Sequence, residues 1–75
     1  MVKSDTTLMT DRLHRVEGQI RGIEKMIEEG QSTDKIVVQI QAVISSMESL
    51  KLELIKKEMR DSLLAQIDGV VALLK

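Results

Sequence analysis

Residues 12–30, RLHRVEGQIRGIEKMIEEG, decide the fold. Leu13, Val16, Ile20, Ile23 and Ile27 recur at intervals of 3, 4, 3 and 4, and Met9 extends the series one step toward the N-terminus. This heptad-like spacing belongs to a helix that buries one narrow stripe against partner helices. Gly30 follows as the stop residue expected just past a helix C-terminus. The polar residues beside the stripe are sorted by charge. At about 100° of turn per residue, Arg12, Arg15 and Gln19 fall on one flank, and Glu17, Glu24 and Glu28 on the other.

Upstream, MVKSDTT is polar, and residues 1–4 are expected to form a flexible start to a single domain spanning residues 1–75. Ser4 and Thr7 are candidate caps for the first helix, and Asp5 and Asp11 suit the positive end of its dipole. Helix 1 is thus expected over about residues 5–29. Ser32 and Thr33 are cap candidates for a second helix, with Asp34 in its first turn. So short a connection makes the two helices antiparallel neighbours. Helix 2 opens with its own seam, Ile36, Ile40, Val43, Met47, Leu50 and Leu54. The next heptad positions are Lys57 and Asp61, and the apolar stripe moves instead to Leu52, Ile55, Met59, Leu63, Ile67, Val70 and Leu74. The buried face therefore rotates near residues 52–55. Ser62 and Gly69 are the interruptions beyond that point. The pattern leaves two outcomes open: helix 2 continues nearly to the end, or a short third helix begins within residues 62–70.

Composition narrows the class. The chain has 75 residues and no Cys, Pro, Phe, Tyr or Trp. Its core must come from Leu, Ile, Val, Met and Ala, and a single core of this size rarely supplies more than about 3–5 kcal/mol without a staple. Disulfides and a Cys/His metal cluster are excluded as staples, which leaves oligomerisation. Without cysteine, a disulfide-stabilised secreted domain is excluded as well. The N-terminus lacks the layout of a signal peptide, and no apolar run reaches the roughly 18–20 residues of a membrane span. The expectation is a cytoplasmic protein with no membrane partner. With 11 Lys and Arg against 12 Asp and Glu, the formal net charge is −1. Any contact with nucleic acid must then come from a local cationic patch.

The Arg12–Arg15–Gln19 row is the first candidate for such a patch, because Arg forks match phosphate oxygens. Charges beside a helical seam also commonly form inter-helix salt bridges or stay solvated. Gly18 and Gly22 lie on the polar side of helix 1, each at a cost of roughly 1 kcal/mol relative to Ala. Either a backbone or phosphate approaches there, or a long helix tolerates them. His14, Arg21 and Lys25 lie near this glycine face, and His14 has no obvious companion as a metal ligand. Ser45, Ser46 and Ser49 cluster in helix 2, where small polar residues permit close helix contact. No Ser–His–Asp arrangement, embedded carboxylate pair or phosphate-binding glycine loop is present, so an enzyme is not expected.

The R-x-x-R-x-E-G-Q-x-R-G core (Arg12, Arg15, Glu17, Gly18, Gln19, Arg21, Gly22), with the downstream QIQAV, resembles the CsoR/RcnR/FrmR family of small all-helical transcriptional repressors. The match runs from about Leu8 to Leu63. The resemblance implies an all-α protomer: a long antiparallel hairpin of helices 1 and 2, plus a short C-terminal helix or helix extension. It further implies an intermolecular four-helix bundle dimer and a dimer-of-dimers tetramer. The partners would be operator DNA and further copies of the chain, and the DNA-facing set Arg12, Arg15, Gln19 and Arg21, with Lys51 nearby on helix 2. A basic residue often found mid-helix 2 in the family is Ser49 here. Family members respond to Cu(I), Ni(II), Co(II) or Zn(II), formaldehyde or sulfur species. The aligned sensor positions are Thr33, Glu58 and Ser62, which carry neither thiolate nor imidazole, so no metal cofactor is expected. The C-terminal segment is also shorter than is usual in the family.

Three functions follow. The first is a repressor of this type without the usual thiol or imidazole switch. The second is a helical oligomerisation module that no longer binds DNA, or one that pairs with an intact paralogue. The third is a divalent-metal sensor using His14 or other non-standard ligands.

Overall fold

The computed structural model describes residues 4–74 and folds them as two helices. Helix α1 (Asp5–Glu28) turns back along the much longer α2 (Thr33–Leu73). Of the expected flexible start, residues 1–3 lie outside the described residues. Ser4 is the N-cap of α1: its Oγ accepts a hydrogen bond from the Thr7 backbone N–H at 3.1 Å. The first helix ends as its sequence indicates. Gly30 takes φ +69°, its N–H donates to the Ile27 carbonyl at 3.1 Å, and the Gln31 N–H donates to the Met26 carbonyl at 3.0 Å. These are the two bonds of a Schellman turn, which satisfies carbonyls left open at the helix end. A side chain at φ +69° is strained, so Gly30→Ala should destabilise the fold by about 1 kcal/mol. An unmoved midpoint in urea unfolding would show that the chain leaves α1 by another route.

Ser32 caps α2 through its carbonyl, which accepts from the Lys35 and Ile36 N–H groups at 3.1 and 3.2 Å, and Asp34 places a negative charge against the helix dipole. Neither Ser62 nor Gly69 interrupts α2, which runs as one helix of 41 residues, about 60 Å long. Of the two outcomes left open by the sequence, the helix extension is the one found. A single internal glycine costs only about 1 kcal/mol, too little to end a helix without a cap or turn residue beside it.

At the open end an exposed ion pair joins the two helices: Arg60 Nη2 donates to Asp5 Oδ2 at 2.8 Å. Beyond that pair α2 continues through residues 61–73, roughly 20 Å of helix, with Leu63, Leu64, Ile67, Val70 and Val71 all exposed. Lys57 Nζ donates to Asp61 Oδ2 at 2.6 Å where this overhang begins. The bond holds the Asp61 carboxyl below its ordinary range and the Lys57 ammonium above its own. The Asp61 contribution is lost only as pH falls through the lowered carboxyl pKa. That of Lys57 is lost only as pH rises through the raised ammonium pKa. Both ions thus persist across neutral pH.

The stripe read from the sequence divides in two. Toward α2, α1 presents Met9, Arg12, Val16, Ile23 and Met26, all buried or half-buried, and α2 answers with Ile36, Val43, Ser46, Leu50 and Lys57. Leu13, Ile20 and Ile27, together with Ile40, Ile44, Met47 and Leu54 of α2, remain exposed. Among the described residues only Val16 and Leu50 are buried apolar side chains, each still 5% exposed. The protomer therefore has almost no core of its own.

Its shape agrees. The radius of gyration is 19.2 Å and the extents are 67 × 24 × 14 Å, whereas a compact domain of this length has a radius near 11 Å. The accessible surface is 6297 Å² for a mass of 8.4 kDa, against about 4,600 Å² for a folded monomer of that mass. Among the described residues, no helix is long and apolar enough to cross a membrane.

Candidate nucleic-acid interface

Antiparallel pairing lays a shallow open groove of about 360 Å³ along one face of the hairpin. Its α1 wall is Arg12, Arg15 and Gln19, its α2 wall is Ser45, Ser46 and Ser49, and Val16 lies between them. The periodicity explains the grouping. Positions 12, 15 and 19 are spaced to share one side of α1, and 45 and 49 are one turn apart on α2. Hairpin register then brings the two rows face to face. Serine is small enough to leave space where a longer side chain would close it.

The charge of the groove is one-sided. No Asp or Glu lines it. Among the described residues no ion pair engages Arg12 or Arg15, whereas Lys25, Lys57 and Arg60 are paired with Glu29, Asp61 and Asp5. Arg12 is half-buried and Arg15 is exposed. Two guanidiniums along a trough without a carboxylate form a surface suited to an anionic, extended ligand.

The other residues expected at a DNA surface are placed elsewhere. Arg21 sits half a turn from Arg12 around α1, and Lys51 is about 200° beyond Ser49 on α2; neither lines the groove. Sequence alone presents the serines as small residues that permit close helix contact. Their place in the groove wall depends on hairpin register, which no local pattern encodes. Gly18 and Gly22 lie open, since a Cβ built on either meets nothing within 4 Å in the protomer.

The positions aligned with a sensor do not come together within one protomer. Thr33 is the first residue of α2, and Glu58 and Ser62 lie one turn apart far along the same helix, roughly 35–45 Å away at 1.5 Å per residue. Glu58 and Ser62 border a shallow, exposed depression with Met59, Leu63 and Gln66. Two hydroxyls and a carboxylate are hard oxygen donors, a poor set for Cu(I) and a weak one for Ni(II) or Zn(II). Among the described residues, no group of three or more His, Cys, Asp or Glu side chains is placed to hold a metal ion, and His14 stands exposed on α1.

Comparison with known proteins returns a family described as metal-sensitive transcriptional repressors, matching residues 5–75. Two similar relatives carry related names. The copper-sensing transcriptional repressor CsoR of Bacillus subtilis (strain 168) is 44% identical over 48 residues, covering 64% of this chain and 48% of the relative. The copper-sensing transcriptional repressor RicR of Mycobacterium tuberculosis (strain ATCC 25618 / H37Rv) is 46% identical over 48 residues, covering 64% of this chain and 50% of the relative. The matched stretch spans about half the length of these curated relatives. No solved structure matches the chain.

Proposed function

The chain belongs to the family of metal-sensitive transcriptional repressors, and from that premise we propose that it is a cytoplasmic DNA-binding repressor of the CsoR/RcnR type that lacks the family's thiol and imidazole metal site. The observation that carries the DNA half is the groove. Arg12 and Arg15 are unpaired among the described residues and share one wall with Gln19. Arginine forks in such a row grip phosphate oxygens and set the protein's position on a duplex. Arg21 and Lys51, on other faces, would reach DNA only where a second protomer or a curved duplex brings it to them.

The working unit is a bundle of hairpins. Leu13, Ile20, Ile27, Ile40, Met47 and Leu54 form an apolar face on the side of the hairpin away from the groove, at the spacing that fits helix against helix. The accessible surface exceeds that of a folded monomer by about 1,700 Å², the area that one partner of an obligate homodimer commonly buries. A four-helix bundle of two copies would cover this face and repeat the cationic groove on its outside. Two such dimers would make the tetramer.

The test of DNA binding is a gel-shift comparison between a duplex from the region upstream of the protein's own gene and a shuffled duplex of equal composition. Preferential retardation of the first supports a repressor. Equal retardation of both, or of neither, favours the reading as a helical assembly module.

The donor chemistry at Thr33, Glu58 and Ser62 does not fit the family's metals, and the repressor is read as independent of them. Cu(I), Ni(II), Co(II) or Zn(II) should accordingly leave the melting temperature unchanged within about 1 °C. A ligand that binds only the folded state at 100 times its Kd adds about 2.7 kcal/mol, a rise of many degrees for so small a domain. Such a rise with any of these ions, lost in His14→Ala, would identify a non-standard sensor instead.

A further inference from the structure

We propose that the hydroxyls of Ser45 and Ser49 are phosphate ligands, completing from α2 a groove whose cations come from α1. This inference rests on the DNA-binding reading above and names the part of the ligand that the second wall holds, a non-bridging oxygen of the phosphodiester backbone.

Among the described residues, no hydrogen bond engages the side chains of Ser45, Ser46 or Ser49. That matters because a hydroxyl inside a helix has a ready partner in the carbonyl one turn back. Thr10 takes that option, donating to the Thr6 and Thr7 carbonyls at 3.0 Å. The two exposed serines line the same trough as Arg12, Arg15 and Gln19. The space between the walls has no carboxylate on its border, and its one apolar lining residue, Val16, is 5% exposed. An anion drawn in by the two guanidiniums thus meets hydroxyl donors on its other side. Ser45 and Ser49 are one turn apart, so together they track an extended backbone rather than enclose a point charge.

Neutral donors leave a signature that cations do not. Each Arg–phosphate contact releases condensed counterions and steepens the fall of affinity with salt by about 0.9 in log–log slope. A hydroxyl contact adds affinity without altering that slope. In a fluorescence-anisotropy titration of the duplex at four salt concentrations, Ser45→Ala/Ser49→Ala should bind about tenfold more weakly at every salt, with the slope of the wild type. Ser45→Thr/Ser49→Thr, which keeps both hydroxyls, should stay within about threefold of wild type. Ser49→Lys should steepen the slope by about one unit. Alanine favours the helix over serine, so loss of fold does not explain a weaker alanine variant, and far-ultraviolet circular dichroism checks this directly. Unchanged affinity in the double alanine variant, or a loss that the threonine variant shares, overturns the serine assignment alone. A wild type that does not bind the duplex overturns the DNA reading, and the serine assignment with it.

Discussion

Ile20→Asp is expected to leave the chain largely unfolded, because the proposed assembly of hairpins covers this position. Ile20 is 50% exposed in the protomer and stands mid-helix on the face that also presents Leu13, Ile27, Ile40 and Met47. Within a single hairpin the substitution removes little, since the residue is only half covered. Between hairpins of the proposed bundle it would place a carboxylate in an apolar interface at every copy, a cost of several kcal/mol per site. The whole domain has little more than that to lose, because Val16 and Leu50 are the only buried apolar side chains among the described residues. Ordering each backbone residue costs about 1–2 kcal/mol, which two buried residues do not offset. Wild type should therefore melt at a temperature that rises with protein concentration, as assembly-linked folding requires. Ile20→Asp should lose most of its helical circular dichroism and sediment as a monomer. His14→Asp, on the exposed polar side of the same helix, should shift stability by no more than about 0.5 kcal/mol. A monomeric Ile20→Asp with full helicity would show that the hairpin stands alone.

The second large effect concerns the cationic wall. Arg12→Met combined with Arg15→Ala should weaken duplex binding by about a hundredfold near physiological salt, and flatten the salt dependence by roughly two units of log–log slope. Methionine is chosen at position 12 because Arg12 is half-buried. An unbranched apolar side chain keeps that burial while removing the charge. Arg15 is exposed, and alanine there only raises helix propensity. The loss should thus come with an unchanged melting temperature, which separates contact with DNA from support of the fold. Binding that survives the double substitution with its slope intact would move the DNA surface away from this groove.

Much of this architecture is legible in the residues. Ser4, Asp5, Gly30 and Asp34 act locally, through caps, a helix stop and first-turn charge, so their spacing alone marks the helix limits to within a residue or two. The extension of α2 through Gly69 is not decided by pattern. One glycine lowers helix stability by a small amount, and whether the helix survives depends on the rest of its 41 residues. The apolar stripe is visible, but its division is not. Val16 meets the chain's own α2 while Ile20, four residues on, faces outward, and a heptad repeat looks the same for an internal and an external partner. The Arg12–Arg15–Gln19 row is legible because it lies on one helix. Its serine wall is not, because Ser45 and Ser49 reach it only through the register in which α1 and α2 pair. Only the family resemblance points to Arg21 and Lys51, and neither lines the groove with the rest.

On the proposed reading, the protein binds DNA through the groove and works without the family's thiol and imidazole switch. The most direct test forms the complex with the upstream duplex, monitors its anisotropy, and then adds Cu(I), Ni(II), Co(II) and Zn(II) in turn, each in excess over protein. The expected result is a high anisotropy that falls with added salt and does not change with any of the ions. Release of the duplex by one of them, at a concentration that leaves its salt-induced release unaltered, would contradict it and restore a working sensor to the chain.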